Sequence, residues 1–278
     1  MSESLLERLR APVSEDGAFT LDAIPTDTTP GVEGKGDAKD GLDDMADPLF
    51  DLHELLYAEK QRSVLVILQG TDASGKNGTI KHVVRLVNPA GVRVSTFDEP
   101  TEEEREHDFL WRIRKGVPRP GELGVFNRSH YEDVLVPFVT DEIDEEERDE
   151  RIDAILDFEK ELVDDGTVIL KCLLHIGYDE QRRRFLRRLR RDDKRWKFDP
   201  ADMETRRHWD HYQAAYGEMV KATSPEWAPW RIVPADHKWY RNWAIAHLLV
   251  ATLRSQNLSY PQPDFDLADL RSRLEPPG

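Results

Sequence analysis

Short, continuous apolar runs alternate along most of this chain with longer segments in which apolar residues recur at helical spacing. Runs of four to eight apolar residues are typical of strands that are buried on both faces of a sheet. The sequence predicts five of them, at residues 63–69, 92–97, 124–126, 167–175 and 230–234. Strands that alternate with helices favour right-handed crossovers and a doubly wound α/β fold with a parallel sheet.

The segments between these runs divide the chain into three parts. Helical periodicity is predicted at residues 47–62, 77–87, 102–114, 145–163 and 239–254. Residues 180–222 hold no strand candidate, so we expect a helical excursion above the sheet. We therefore predict an N-terminal extension over residues 1–45, a main domain over 46–263 and a C-terminal tail over 264–278. Residues 26–44 lack sustained periodicity and are expected to be extended, and the tail is expected to be weakly helical.

Composition limits the class of protein. Hydrophobic residues make up 38% of the 278 residues, which is enough for a sizeable core. No run approaches the ~18 apolar residues that span a bilayer, and residues 1–10 lack the apolar core of a signal peptide. We expect a cytoplasmic protein that does not bind membranes. The one cysteine, Cys172, lies in an apolar run and is expected in the core.

Charge is distributed unevenly. The net charge of −16 argues against non-specific binding of nucleic acid. Residues 141–165 carry 14 acids and 3 bases, which favours a solvated helix face. Residues 175–200 carry 10 Lys/Arg and 5 acids, so positive charge is concentrated there. This basic stretch is either another solvated face or a binding surface for a polyanion.

A glycine-containing loop joins the first predicted strand to the next helix. Its sequence, GTDASGKN at residues 70–77, has the GxxxxGK pattern and the strand–loop–helix context of a Walker A phosphate loop. Backbone N–H groups and the helix N-terminus attract phosphate oxygens, and Lys76 adds a full charge. The predicted phosphate-binding residues in this segment are Gly70, Ala73, Ser74, Gly75, Lys76, Asn77 and Gly78.

Asn77 departs from the pattern, because a Ser or Thr hydroxyl normally binds Mg²⁺ at that position. Mg²⁺ prefers oxygen ligands, commonly carboxylates and phosphates. Asp72 is therefore the predicted metal ligand, for Mg²⁺ or for Mn²⁺. Alternatively, Asp72 only stabilises the turn before the helix.

A second polar segment follows the third predicted strand. Ligands of α/β sheets bind at the carboxyl ends of strands, and residues 127–133 (NRSHYED) begin at such an end. Asn127 occupies the position of a Walker B carboxylate. We expect Arg128 to contact nucleotide phosphate, and Glu132 to lie on the acceptor or metal side. His130 is expected to form a simple hydrogen bond.

Taken together, these motifs resemble the polyphosphate kinase 2 family. The resemblance is carried by the GxDxxGKxG loop, FNRSHYEDV at residues 126–134, RWKF at 195–198, APW at 228–230 and PADHKWYRNW at 234–243. It covers residues 49–263, and the FNRSHYED form is similar to the subgroup called class III. The resemblance implies a three-layer α/β/α sandwich of the P-loop NTPase, thymidylate-kinase-like type, with a helical lid.

It also implies an activity and further site residues. Class III enzymes phosphorylate AMP and ADP from polyphosphate, depend on Mg²⁺ and often form dimers or tetramers. Arg112 matches a family arginine near the acceptor phosphates. The expected catalytic residues are Asp72, Lys76, Arg128 and Glu132. The lid and channel that hold polyphosphate would include Arg187, Arg191, Lys194, Arg195, Lys197, Lys238 and Arg241, with Arg195 and Lys197 as the strongest candidates.

Two other functions fit parts of the sequence. A nucleoside or nucleotide kinase with ATP as donor would share the phosphate loop and an arginine-rich lid, but would need fewer cations. A non-catalytic polyanion-binding module would explain Asn77 and Asn127. The presence of Asp72, Lys76 and Arg128 argues against that module.

Overall fold

Five parallel strands form the centre of the molecule. A computed structural model describes residues 4–13 and 19–275. The strands are β1 (Ser63–Gln69), β2 (Val92–Thr96), β3 (Leu123–Asn127), β4 (Thr167–His175) and β5 (Trp230–Pro234). Their spatial order is β2-β3-β1-β4-β5, and every neighbouring pair is parallel. The five predicted strands and the parallel sheet are confirmed.

Helices cover both faces of this sheet. In chain order they are α1 (Leu5–Arg8), α2 (Lys35–Asp44), α3 (Ala46–Glu59), α4 (Lys76–Val83), α5 (Glu102–Arg105), α6 (Trp111–Gly116), α7 (Glu132–Val139), α8 (Glu145–Asp164), α9 (Tyr178–Arg190), α10 (Asp202–Arg207), α11 (Trp209–Ala222), α12 (Lys238–Ser255) and α13 (Leu267–Leu274). Short 3₁₀ helices occur at Leu21–Ala23, Val84–Leu86, Pro89–Gly91 and Arg195–Lys197.

The core is split between the two faces because successive strand residues point in opposite directions. Val64, Val66 and Leu68 of β1 pack into one apolar cluster, with α2, α3, α4 and α12. Leu65 and Ile67 pack into the other, with α7, α8 and α11. This is the predicted three-layer α/β/α arrangement, and it places the carboxyl ends of all five strands along one edge.

Three predictions of local structure are wrong. Residues 102–114 form two helices, and in the turn between them the Asp108 carboxylate accepts from the Leu110 N–H at 3.0 Å. Helix α7 was not predicted, and it contains Pro137. Residues 35–44, expected to be extended, are helix α2, whose own sequence buries only Ala38. Gly41 lets this helix lie against the Trp243 indole of α12, so tertiary packing replaces the missing periodicity.

The N-terminal extension packs on the main body. The Ile232 N–H of β5 donates to the Leu9 carbonyl at 2.7 Å, and the Ala11 N–H donates to the Trp230 carbonyl at 2.9 Å. These bonds cover the outer edge of β5 with a short antiparallel segment. Residues 1–3 and 14–18 of the predicted extension, and 276–278 of the predicted tail, lie outside the described residues. The three-part division of the chain stays a prediction.

Two further observations concern composition. Within residues 4–13 and 19–275, no helix is both long enough and apolar enough to cross a bilayer. Cys172 is fully buried on β4, as predicted, and burial raises the pKa of its thiol to about 12. This cysteine is therefore a small core residue and not a nucleophile.

Candidate active site

A cleft of about 640 Å³ opens where β1, β2 and β3 end. Its floor is formed by residues 73–78, which are the end of the loop after β1 and the first residues of α4. One wall is formed by Asp72 together with Thr96, Asp98 and Arg128 at the ends of the neighbouring strands. The opposite wall comes from α9 and the segment that follows it. The parallel sheet thus brings the two polar segments singled out in the sequence to one site.

The backbone of the loop is held in an unusual conformation. Gly70, Ala73 and Gly75 all have positive φ angles, of 141°, 63° and 115°. A side chain at Gly75 would overlap the Arg241 guanidinium, so glycine is required there. Lys76 begins α4, and its ammonium donates to the Gly70 carbonyl across the loop. Burial lowers the pKa of Lys76, while Glu132 and Asp72 oppose that shift.

Arg128 lies between two carboxylates at the cleft. Its guanidinium is 3.3 Å from the Asp72 Oδ1 and 3.5 Å from the Asp98 Oδ1. Burial disfavours the charge on Arg128, but Glu132, Asp72 and Asp98 together raise its pKa above the ordinary value. Burial also raises the pKa of Glu132, against the opposing influence of Lys76 and Arg128. Asp72, Lys76, Arg128 and Glu132, the four residues predicted to be catalytic, therefore form one electrostatic group, and their catalytic roles stay predictions.

Asn127 and Asn77 face each other in this group. The Asn127 Nδ2 donates to the Asn77 Oδ1 at 2.6 Å. In the usual P-loop pattern, position 77 carries a metal-binding hydroxyl and position 127 carries a carboxylate. Here the two amide side chains bind one another instead. The two departures from the P-loop pattern are thus paired in space, which the sequence alone did not reveal.

The donor set fits Mg²⁺ bound largely by substrate. Among the described residues, no group of three His, Cys, Asp or Glu side chains could hold a metal. Mg²⁺ commonly takes one or two carboxylates and completes its shell with water and substrate phosphates. Asp72 lies on the cleft wall with one carboxylate oxygen engaged by Arg128, so its other oxygen fits that role.

Arg112 does not line the cleft. It is 7% exposed, and its Nη2 donates to both carboxylate oxygens of Asp133 at 2.9 Å. Its Nη1 donates to the Asp98 carbonyl at 2.6 Å. The expected contact with acceptor phosphate stays a prediction, since in this arrangement the guanidinium binds the Asp133 carboxylate away from the cleft. Arg112 instead joins the β2–α5 loop to the start of α7.

A buried polar network holds the segment that follows Arg128 in the chain. Lys171 and Glu159 are both fully buried, and the Lys171 Nζ is 2.6 Å from the Glu159 Oε2. Glu159 also accepts from the Tyr131 hydroxyl at 2.8 Å and contacts the His130 Nε2 at 3.2 Å. Burial would raise the pKa of Glu159, but Lys171 and His130 lower it overall. The network fixes the segment that carries Arg128 and confirms a hydrogen-bonding role for His130.

Most of the predicted lid cations reach the cleft. Arg187, Arg191, Lys194, Lys197 and Lys238 all line it. Arg195 does not line it, contrary to expectation. Its Nη1 is 2.5 Å from the Asp192 carboxylate and its Nε donates to the Leu189 carbonyl, so its guanidinium is used within the lid.

Arg241 lies at the floor of the cleft and not along its rim. It is only 2% exposed, and its Nη1 donates to the Ser74 carbonyl at 3.0 Å. Its position directly behind Gly75 explains why glycine recurs at residues 75 and 78 of the loop.

Several cleft residues were missed by sequence reasoning. They are Thr96, Asp98, Trp196, Asp199 and Asp202. Arg184 and Arg188, which belong to the basic run predicted to form the lid and channel, line the cleft as well. Asp98 directly follows the predicted strand at residues 92–97, so its place at a strand end was a usable signal. Thr96 is the last residue of β2. The others lie on the lid, where only the fold determines which residues face the sheet. Burial raises the pKa of Asp202 to about 6, and nearby Asp72 adds to that shift.

Known proteins are similar to this chain in sequence. The family model for polyphosphate kinase 2 matches residues 33–261. An AMP/ADP-polyphosphate phosphotransferase from Meiothermus ruber is 50% identical over 91% of this chain and 95% of its own length. An ADP-polyphosphate phosphotransferase from Rhodopseudomonas palustris is 39% identical, with 90% and 91% covered.

A solved structure is similar to this chain in fold and in sequence. The crystal structure of polyphosphate kinase 2 from Arthrobacter aurescens superposes with a TM-score of 0.93 and 42% identity. The alignment covers 98% of this chain and 97% of that one. The phosphate loop, the strand-end segment and the basic lid thus occur in a chain of matching length and architecture, and this chain belongs to the polyphosphate kinase 2 family.

Proposed function

We propose that this protein transfers phosphoryl groups reversibly between inorganic polyphosphate and the adenine nucleotides AMP and ADP. The observation that carries the proposal is the charge of the cleft. Ten Lys and Arg side chains line it, against four Asp side chains, in a protein whose net charge is −16. A nucleoside triphosphate needs only a few cations, whereas a long polyanion needs a row of them. The names of the Meiothermus and Rhodopseudomonas relatives support the same donor.

The chemistry rests on alignment and charge neutralisation. The amides of Ala73, Gly75 and Lys76 and the Lys76 ammonium hold the phosphate that is transferred, while the Ser74 N–H donates to the Thr71 carbonyl within the loop. Arg128 binds the acceptor nucleotide phosphate, exchanging one of its two carboxylate partners for a phosphate oxygen. An acceptor phosphate is already ionised at neutral pH, so no general base is needed.

Asp72 is the proposed ligand of Mg²⁺, with Mn²⁺ as a substitute. When bound, the ion would neutralise charge that develops on the phosphate oxygens. Glu132 favours the charged forms of Lys76 and Arg128, and we assign it to the acceptor side of the site. Assembly into a dimer or tetramer and a cytoplasmic location stay predictions from the family resemblance.

A comparison of donors tests the function. The protein is given ADP and Mg²⁺ with either long-chain polyphosphate or GTP, and ATP is measured. We expect ATP from polyphosphate and little from GTP, and ATP formed from GTP alone would overturn the proposal in favour of an ordinary nucleotide kinase. A second reaction with AMP and polyphosphate, resolved by nucleotide, is expected to give ADP first and ATP later. Chelation of divalent ions by EDTA should stop both reactions, and added Mg²⁺ should restore them.

A further inference from the structure

The buried first half of helix α9 contacts the phosphate loop from behind. Gln181 is fully buried, and its Nε2 donates to the Asp72 carbonyl at 3.0 Å. Arg184, one turn further, is 5% exposed, and its Nη1 donates to the Ala73 carbonyl at 2.9 Å and the Ser74 carbonyl at 2.8 Å. Three successive loop carbonyls are thus held by side chains of the helix that also carries the lid arginines.

Every donor of Arg184 is occupied. A guanidinium has five N–H groups. Besides the two loop carbonyls, Arg184 donates through Nε to the Glu180 carboxylate at 2.8 Å, and through Nη2 to the carbonyls of Ala235 and Asp236 at 2.5 and 2.9 Å. No N–H group is left for a substrate phosphate. Arg184 therefore differs from Arg241, which donates only to Ser74 and Asn242 in the described contacts.

These bonds fix the direction of the loop amides. In a trans peptide the N–H points opposite to the carbonyl of the same unit. With the Asp72 carbonyl turned toward Gln181, the Ala73 N–H is turned away from α9. With the Ser74 carbonyl turned toward both arginines, the Gly75 N–H is turned away from them. Ala73 and Gly75 both line the cleft, so these amides are available to phosphate oxygens.

We propose that Arg184 is a positioning residue for phosphoryl transfer, which acts through the carbonyls of Ala73 and Ser74 and touches no substrate. The same guanidinium also binds the carbonyls of residues 235–236 after β5, so that the lid helix and the phosphate loop form one rigid unit. The proposal rests on the proposed function. The rate of transfer should then depend on the shape of the Arg184 guanidinium as well as on its charge, since a lysine cannot span four carbonyls.

Steady-state kinetics of Arg184→Lys with ADP, Mg²⁺ and long-chain polyphosphate tests this proposal. We expect kcat to fall about 30- to 100-fold, because displacement of catalytic groups by about 1 Å costs on the order of 10²-fold. We expect the KM for polyphosphate to change less than threefold. The matched control is Arg183→Gln, which removes the other partner of Glu180 from an exposed position and should leave kcat unchanged.

Each alternative has its own outcome. A wild-type kcat in Arg184→Lys would show that only charge matters, and a rise in KM without a fall in kcat would show direct substrate contact. A lower melting temperature with unchanged kcat per folded enzyme would show a merely structural role. Any of these overturns the proposal. Absence of polyphosphate-dependent ATP synthesis in the wild type would instead overturn the proposed function.

A second variant covers the case in which Arg184→Lys does not fold. Glu180→Ala removes the carboxylate that orients Arg184 and leaves the guanidinium with its four carbonyls. We expect kcat to fall about three- to tenfold, in the range of one lost hydrogen bond. An unchanged kcat in Glu180→Ala, measured beside Arg183→Gln, overturns the positioning role.

Discussion

The two halves of the basic stretch use arginine in different ways. In the lid base (residues 178–185), Arg184 is buried and bonded almost wholly to main-chain carbonyls. In the outer lid (residues 187–204), Arg191 is 2.8 Å from Asp193 and Arg195 is 2.5 Å from Asp192, all at exposed positions. Exposed ion pairs contribute little to stability. A phosphate can therefore replace the carboxylate of an outer-lid arginine, whereas it cannot compete for Arg184.

This difference separates cations that hold the structure from cations that bind polyphosphate. Cations that are deep in the molecule should affect kcat or stability when they are removed. Cations in the outer lid should affect the KM for polyphosphate and its dependence on salt. Single and combined substitutions of the two kinds of cation test that division.

Lys76→Met should nearly abolish turnover. The ammonium is a partly buried cation within the phosphate loop, and loss of a single preorganised donor typically costs about 10²–10³-fold in kcat. We expect at least a 10³-fold fall in kcat/KM for ADP with polyphosphate, measured by ATP formation. Lys81→Met, an exposed lysine on the same helix α4, is the control and should behave as wild type. Activity above about a tenth of the wild-type value would contradict the assignment of Lys76.

Lys171→Met should reduce stability far more than substrate affinity. Removal of Lys171 leaves the Glu159 carboxylate buried without its partner, which costs about 3–5 kcal/mol. Urea unfolding should show this loss, and Glu159→Leu combined with Lys171→Met should recover part of it.

Lys160→Met provides the matched control for this buried pair. Lys160 lies beside Glu159 on α8 and pairs with Asp164 at the surface, so the loss should stay below about 1 kcal/mol. Equal destabilisation by the two lysine variants would show that burial of the pair is not what matters.

The sequence predicted the sheet and the phosphate loop because both are determined locally. Strand β1 is an apolar run that is buried along its whole length, and the loop pattern requires only neighbouring residues. The sequence could not reveal that Arg184 faces inward while Arg183 faces solvent, because both belong to an unbroken basic run. Arg195 was misplaced for the same reason: its matched motif located it on the lid, but not on the side of the lid that faces the cleft.

A different limit applies to the buried network. Lys171 stands inside the apolar strand β4, and a charged residue there already indicates a buried partner. Its partner Glu159 is one of fourteen acids in residues 141–165, a block that the sequence favoured as a solvated face. That interpretation fails for Glu159, which is fully buried, because helix α8 turns one side toward the sheet. Only the packing of α8 identifies which acid pairs with Lys171.

Neutralising three outer-lid cations should weaken binding of polyphosphate without slowing transfer. For Arg187→Gln/Arg191→Gln/Lys194→Gln we expect the KM for polyphosphate to rise about 10- to 100-fold, with kcat within threefold of wild type. The slope of log KM against log salt should also fall, by about 0.7 per lost phosphate contact. The control carries the same charge change at exposed α9 positions that do not line the cleft, Arg182→Gln/Arg183→Gln/Arg190→Gln. Equal effects in the two triple variants would mean that total charge, and not the cleft, governs binding.

Lys238 belongs neither to the deep cations nor to those of the outer lid. It should make the binding of polyphosphate depend on pH. Burial, together with Arg184, Arg187 and Arg241, lowers the pKa of Lys238 to about 8. A bound polyanion favours the charged ammonium and so raises this pKa. Above pH 8 the free protein must therefore take up a proton when it binds polyphosphate, and affinity must fall as pH rises.

Between pH 7.5 and 9.5 we expect the KM for polyphosphate to rise about three- to tenfold, since one pKa unit corresponds to a tenfold change in an equilibrium constant. Lys238→Arg keeps a cation that does not titrate in this range. The rise should therefore disappear in Lys238→Arg while the KM at pH 7.5 stays close to wild type. Lys238→Ala should also give a flat profile, but with the higher KM at every pH. A profile in Lys238→Arg that still rises with pH would assign the titration to another group and place Lys238 with the outer-lid cations, which act through permanent charge alone.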